Sequence, residues 1–125
     1  MKWGKRRVNY EFIYEGQFLI IKLSGTAGVN ERLLVKKYLT PYLVQSCQKV
    51  IVNLKGLDET GEVNIIGVLN TIKKEFQLLG GEVKLCSLKP ELYHYFQGNR
   101  LDPIFDIGQS IEQIKLSFKE RGNAV

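Results

Sequence analysis

Apolar and polar residues alternate at the front of the chain. Val8, Tyr10, Phe12 and Tyr14 fall on one side and Asn9, Glu11 and Ile13 on the other, which is the period of a half-buried strand. Glu15-Gly16-Gln17 reads as a turn, and residues 18–23 as a second strand with Leu19, Ile21 and Leu23 on one face. The pair predicts an antiparallel hairpin. Ser24-Gly25-Thr26-Ala27-Gly28 then reads as a flexible loop. Asn30 is predicted to cap a helix, with Glu31 in its first turn facing the positive end of the helix dipole. Val35, Leu39, Tyr42 and Leu43 share one helical face. Pro41 either kinks this helix or opens a second turn with Thr40 as its cap, and the segment ends near Cys47.

The pattern changes at residues 50–54, a nearly unbroken apolar run of the kind found in strands covered on both faces. From Gly61 it becomes helical. Ile65, Val68, Leu69, Ile72, Phe76 and Leu79 recur every three or four residues, which defines one core-facing stripe. Gly80-Gly81 supplies the stop. Residues 82–87 predict another strand, Pro90 opens a short helix that Gly98 closes, and residues 104–107 predict a last strand. Ser110 and Gln113 have the spacing of a capping box, followed by Ile111, Ile114 and Phe118 as the inner face of a final helix. The order β-β-α-β-α-β-α-β-α calls for right-handed crossovers between parallel strands, with the first hairpin making the sheet mixed. The expected fold class is α/β, one domain at residues 8–118 between a basic leader, 1–7, and a polar tail, 119–125.

Composition narrows the function classes. The chain is 125 residues long, 44% hydrophobic and 25% charged, enough for a core without disulfides or a structural metal. Every apolar run is broken by Lys, Asn or Gly short of a membrane span, so no membrane insertion is expected. The leader is basic but lacks the apolar core of a signal peptide, which predicts a cytoplasmic protein. The net charge of +5 is dispersed over Lys2, Lys5, Arg6, Arg7, Lys36-Lys37 and Lys73-Lys74. With no arginine-rich helix and no aromatic ladder, no nucleic-acid partner is expected. Cys47 and Cys86 match no metal spacing and read as reduced, buried thiols.

Nor does the sequence carry a reaction. His94 is the one histidine and has no carboxylate or cysteine at a partner spacing. The 12 glycines contain neither a Walker-type loop nor a dinucleotide fingerprint. No cofactor and no metal are expected, and the chain is not read as an enzyme. Its most distinctive stretch is VIVNLKGLDETGEVNIIGVL, where the central strand runs into Asp58-Glu59-Thr60-Gly61 at the mouth of the longest helix. Unpaired N–H groups and a positive dipole end favour carboxylates or a phosphoryl group there. Val63 points almost opposite to the core stripe and Ile66 lies on its flank, so the two form a candidate docking pair beside Glu59, Thr60 and Glu62.

The element order and this stretch resemble the STAS domain, the family of the bacterial anti-sigma-factor antagonists. The resemblance covers residues 8–118. In that family the turn is of the type Asp-Ser-Ser-Gly or Asp-Ser-Thr-Gly before an apolar helix. Gly80-Gly81-Glu82-Val83-Lys84-Leu85 resembles the family's glycine and fourth strand, and Leu101-Asp102-Pro103-Ile104-Phe105 the stretch before its last helix. The resemblance implies a non-catalytic protein-binding module whose partner is a kinase-like anti-sigma factor. It also implies release of that partner when the first Ser or Thr after the turn aspartate is phosphorylated.

Here that acceptor position is Glu59, and the loop that often reads Gly-Glu-Leu-Asp is Gly25-Thr26-Ala27-Gly28. Both departures argue against the ordinary phosphorylation cycle. Glu59 is either a fixed mimic of the phosphorylated state or a helix N-terminal carboxylate that contributes roughly 0.3–1 kcal/mol. Thr60 keeps a hydroxyl one residue on, a candidate phosphosite as well as a capping group. Ser24, Gly25, Thr26 and Gly28 form the second half of the expected partner surface. Two alternatives stand beside this reading: a STAS subunit of a transport or stress-signalling assembly, and a small-ligand or nucleotide sensor.

Overall fold

The computed structural model describes residues 7–43, 48–57 and 62–122, with the backbone alone at 62, 63 and 119–122. Five strands and four α-helices follow in the expected order: β1 (Val8–Glu15), β2 (Phe18–Gly25), α1 (Glu31–Leu39), β3 (Lys49–Leu57), α2 (Glu62–Gln77), β4 (Glu82–Cys86), α3 (Pro90–Gly98), β5 (Asp106–Gly108) and α4 (Ile111–Gly122). They form one sheet in the spatial order β1-β2-β3-β4-β5. β1 and β2 pair antiparallel, and each later pair is parallel. The predicted mixed sheet with an N-terminal hairpin is the fold observed.

The sheet is covered on both faces. Leu19, Ile21 and Leu23 of β2 and Val50, Val52 and Leu54 of β3 meet Val35 and Leu39 of α1 and the α2 stripe Ile65, Val68, Leu69, Ile72 and Phe76. On the other face Phe18, Ile20, Ile51 and Cys86 meet Ile114 and Phe118 of α4. β2 is therefore buried on both sides, as β3 is, although alternation alone points to one inner face. Lys84 fastens α4 from below: its buried Nζ donates to Ser117 Oγ at 2.8 Å and lies 4.8 Å from the centre of the Phe118 ring.

Several local expectations shift. α1 gives way to a single 3-10 turn, Thr40–Tyr42, that holds Pro41 in its first positions. Leu39 rather than Thr40 stands at the cap, and the Thr40 hydroxyl donates back to Lys36 O at 2.9 Å. The end of this segment near Cys47 lies outside the described residues. Asn30 precedes α1, but its side chain makes no capping bond. The last strand begins two residues later than expected, because Ile104 is 51% exposed in a turn and Phe105 drops into the core ahead of the strand. At α4 the Ser110 hydroxyl accepts from Gln113 N–H at 3.2 Å, while Gln113 Oε1 accepts from Gln109 N–H at 2.6 Å, so the reciprocal half of the capping box is displaced by one residue.

The helix stops contrast. After α2, Gly81 N–H donates to Phe76 O at 2.8 Å and Gly80 N–H to Gln77 O at 2.9 Å, with Gly80 at φ +81. That is the six-to-one and five-to-two pair of a Schellman stop, with glycine where the left-handed residue is needed. After α3 the same pair recurs from Leu101 to Phe96 and from Arg100 to Gln97, but here Arg100 takes the left-handed position at φ +56. Gly98, expected to close this helix, is its last residue. Arg100→Gly is expected to raise stability by about 0.5–1 kcal/mol, the relief of a left-handed side chain less the freedom glycine adds to the unfolded chain. Chemical denaturation checks it through a rise in midpoint at constant slope.

Candidate functional site

Parallel pairing of β2 and β3 brings their C-terminal ends to one edge of the sheet, with Gly25 opposite Leu57. From that edge the chain enters the loop before α1 on one side and residues 58–61, ahead of α2, on the other. The two stretches expected to make a partner surface thus leave the sheet side by side. Asp58, Glu59, Thr60 and Gly61 lie outside the described residues, as do the side chains of Glu62 and Val63.

The loop is tied down rather than flexible. Ser24 and Gly25 are the last residues of β2 and pair with β1. Thr26 N–H donates to Arg7 O at 3.0 Å, which extends that ladder one residue past the strands. Ala27 is 4% exposed, and its carbonyl accepts from Asn64 Nδ2 in the first turn of α2 at 3.1 Å. Loop and helix start are therefore one unit. Ile66 is half-buried and packed on the main core, so it is not the freely exposed member of a docking pair. The apolar surface instead comes from the start of α1, where Val29 is 76% and Leu33 65% exposed. Next to it a depression of about 410 Å³ is lined by Arg7, Val29, Asn30, Leu34 and Asn64.

Beneath this surface lies a polar cluster that sequence reasoning missed. Glu31 is 2% exposed. Its Oε2 accepts from the Tyr10 hydroxyl at 2.8 Å and its Oε1 from Val8 N–H at 3.4 Å. Tyr10 stacks on Tyr38 with ring centres 4.8 Å apart, and Arg7 Nη2 donates to the Tyr38 hydroxyl at 2.6 Å. Burial, then the bond to Glu31, pushes the Tyr10 phenol well above its usual value. Glu31 thus faces inward to β1 instead of serving the helix dipole from solvent. The start of α1 is closed by backbone: Glu31 N–H donates to Gly28 O at 3.2 Å and Leu33 N–H to Asn30 O at 3.0 Å.

Away from this edge, His94 is exposed on α3. Cys86 is buried in β4, and burial raises its thiol above the ordinary range; Cys47 lies outside the described residues. Among the described residues no helix is long and apolar enough to cross a membrane.

Known proteins supply a family. Solved structures share the fold at low identity. An anti-sigma factor antagonist from Mycobacterium paratuberculosis superposes with a TM-score of 0.67 at 14% identity, over 91% of this chain and 96% of that one. The phosphorylated form of the Bacillus cell fate determinant SpoIIAA gives 0.57 at 17% identity, over 87% and 99%. The murine anion transporter Slc26a9 gives 0.64 at 12% identity, over 86% of this chain but 18% of the transporter. No curated protein sequence matches the chain. A family model described as the STAS domain matches residues 9–114, from the first strand into the last helix, and the chain belongs to that family.

Proposed function

We propose that this chain is a non-catalytic regulatory protein-binding module, similar to an anti-sigma-factor antagonist, with the family's Ser/Thr phosphoacceptor position occupied by Glu59. The observation that carries the reading is the Asn64 to Ala27 bond at 3.1 Å, which joins the loop before α1 to the start of α2 at one edge of the sheet. Such a unit offers a partner a preorganised surface, and preorganisation lowers the ordering cost of binding. The surface would comprise the loop at Thr26 and Gly28, the turn at residues 58–61 and the exposed apolar start of α1. A cytoplasmic, kinase-like anti-sigma factor is the partner this reading names. The likeness to part of an anion transporter favours a second reading, a STAS subunit of a transport or stress-signalling assembly, in which no phosphorylation is needed.

Tagged wild type and Glu59→Ser, recovered from the native cell and analysed by mass spectrometry, test the proposal. The expected result is a kinase-like protein retained by both, within a factor of about three, since a carboxylate carries less charge than the roughly −1.5 to −2 of a phosphoryl group. Retention by Glu59→Ser alone would make Glu59 a fixed off signal. A phosphoryl group on wild-type Thr60 would move the switch one residue along. Membrane-transport subunits without any kinase-like protein would establish the second reading, and retention of no protein by either form would overturn both.

A further inference from the structure

β1 is an edge strand of eight residues whose register with β2 runs without a bulge. It holds neither proline nor lysine. Long edges of this kind act as templates for another strand unless proline, lysine or a bulge blunts them. The bond from Thr26 N–H to Arg7 O at 3.0 Å makes residues 7 and 26 a hydrogen-bonded pair. In an antiparallel ladder such pairs alternate with pairs whose backbone groups point away. Asn9, Glu11, Ile13 and Glu15 therefore turn their backbone groups to β2, while Val8, Tyr10, Phe12 and Tyr14 turn theirs to the outer edge. Val8 agrees, since its N–H reaches Glu31 Oε1 at 3.4 Å outside the ladder. Among the described residues no strand lies on the outer side of β1.

The outward residues also carry a stiff aromatic rim. Phe12 stacks on Tyr42 at 4.0 Å, Tyr10 lies 6.5 Å from Phe12, and Tyr14 lies 6.2 Å from Tyr42. Tyr14 remains 57% exposed.

We propose that a second copy of this chain pairs with β1, antiparallel, about a two-fold axis at Phe12, so that two sheets become one. The alternate aromatics of β1 select the occupant, and charge selects the register. Centred on Phe12, the pairing sets Phe12 against the partner's Phe12, Tyr10 against the partner's Tyr14, Glu11 against the partner's Ile13, and Asn9 against the partner's Glu15. Aromatic pairs meet, and no like charges stand directly opposite each other. Centred on Glu11, two Glu11 carboxylates would face each other. Centred on Ile13, Glu11 would face the partner's Glu15. Centres further out shorten the overlap. A strand suited to this edge must set no carboxylate opposite Glu11 and must carry aromatics at alternate positions, and β1 read backwards is such a strand. The interface is isologous and closed, which fits a dimer rather than a filament.

The test uses the full chain in sedimentation equilibrium, with residue-level amide exchange over about a hundredfold range of concentration, wide enough for mass action to shift the dimer fraction. Tyr14→Pro deletes an outward N–H and no bond to β2, a change that edge strands tolerate. It is expected to raise the dimer dissociation constant at least about tenfold, as loss of two symmetry-related interfacial backbone bonds and two aromatic pairs requires, with little change in the thermal transition of the dilute protein. Asn9→Lys, opposite the partner's Glu15, is expected to tighten the dimer about threefold and Asn9→Glu to loosen it by a similar factor. The amides of Tyr10, Phe12 and Tyr14 should slow in step with the dimer fraction, while those of Glu11 and Ile13 exchange slowly throughout. A monomer at every concentration would overturn the proposal. So would a dimer indifferent to Tyr14→Pro, or slow exchange at Phe12 and Tyr14 in the monomer, which would mean that the chain covers its own edge.

Discussion

Glu31→Ala is expected to lower stability by about 3 kcal/mol and the thermal midpoint by roughly 10 °C. The carboxylate is buried under the start of α1 and accepts both the Tyr10 hydroxyl and Val8 N–H. Alanine leaves two donors without an acceptor where water does not replace it, and each bond to a charged acceptor contributes roughly 1.5–3 kcal/mol. Some of that loss is offset, because a buried carboxylate no longer has to be desolvated. Glu31→Gln keeps one acceptor at the same length and should cost about 1 kcal/mol. Thermal unfolding of the three proteins side by side checks the order. Equal midpoints for Glu31→Ala and wild type would show that the cluster contributes nothing net.

The same cluster sets an alkaline limit. Tyr10 has its phenol raised, by burial first and by Glu31 second. Below the unfolded chain's value of about 10, both states hold the proton and the cluster contributes fully. Above it the unfolded chain ionises while the folded chain does not, so stability falls as pH rises until the folded phenol titrates. The slope is at most about 1.4 kcal/mol per pH unit from this group, reduced by solvent screening because Tyr10 is only half-buried. Tyr10→Phe should lose the bond at neutral pH and flatten the decline above pH about 10.

The residues that misled local reading share a cause. The α2 stripe was legible because Ile65, Val68, Leu69, Ile72 and Phe76 face one way on one helix, and all five are buried. Periodicity is a local signal. Glu31 has its partner on β1, twenty-one residues back, so nothing near it in sequence distinguishes a buried acceptor from a solvated dipole partner. Gly98 looked like a helix stop because glycine fits one. The stop is set instead by the return of Leu101 N–H to Phe96 O at 2.8 Å, with both side chains turned to the core, and this puts the left-handed residue at Arg100. Ser24 and Gly25 read as loop since neither favours a strand, yet pairing with β1 on one side and β3 on the other extends β2 through both. Of the candidate site, the pairing of the loop before α1 with the chain ahead of α2 followed from the family resemblance. The tie of that loop to α2 was not legible, because an asparagine on a helix does not announce which carbonyl it will reach.

That tie depends on a residue with no side chain. Gly25→Ala is expected to cost at least about 3 kcal/mol, the sum of a left-handed backbone and a backbone collision. Gly25 sits at φ +91, and a Cβ there would lie 2.4 Å from Arg7 O. The obstacle is main chain and cannot swing aside as a side-chain end does. To make room, Arg7 must move off the ladder, which breaks the 3.0 Å bond from Thr26 N–H to Arg7 O. Thr26 leads directly to Ala27, whose carbonyl holds Asn64, so the displacement reaches the start of α2. Gly16→Ala is the control: Gly16 is also left-handed, at φ +60, but a Cβ there meets nothing within 4 Å. It should cost about 1 kcal/mol, the backbone term alone. Denaturant unfolding gives the two costs, and amide exchange at Thr26 locates the damage. Equal costs for the two variants would show that Arg7 yields freely. A larger loss at Gly25 with fast exchange at Thr26, and weaker partner retention by the folded fraction, would show that β1, the loop and α2 hold the proposed docking edge together through this one close approach.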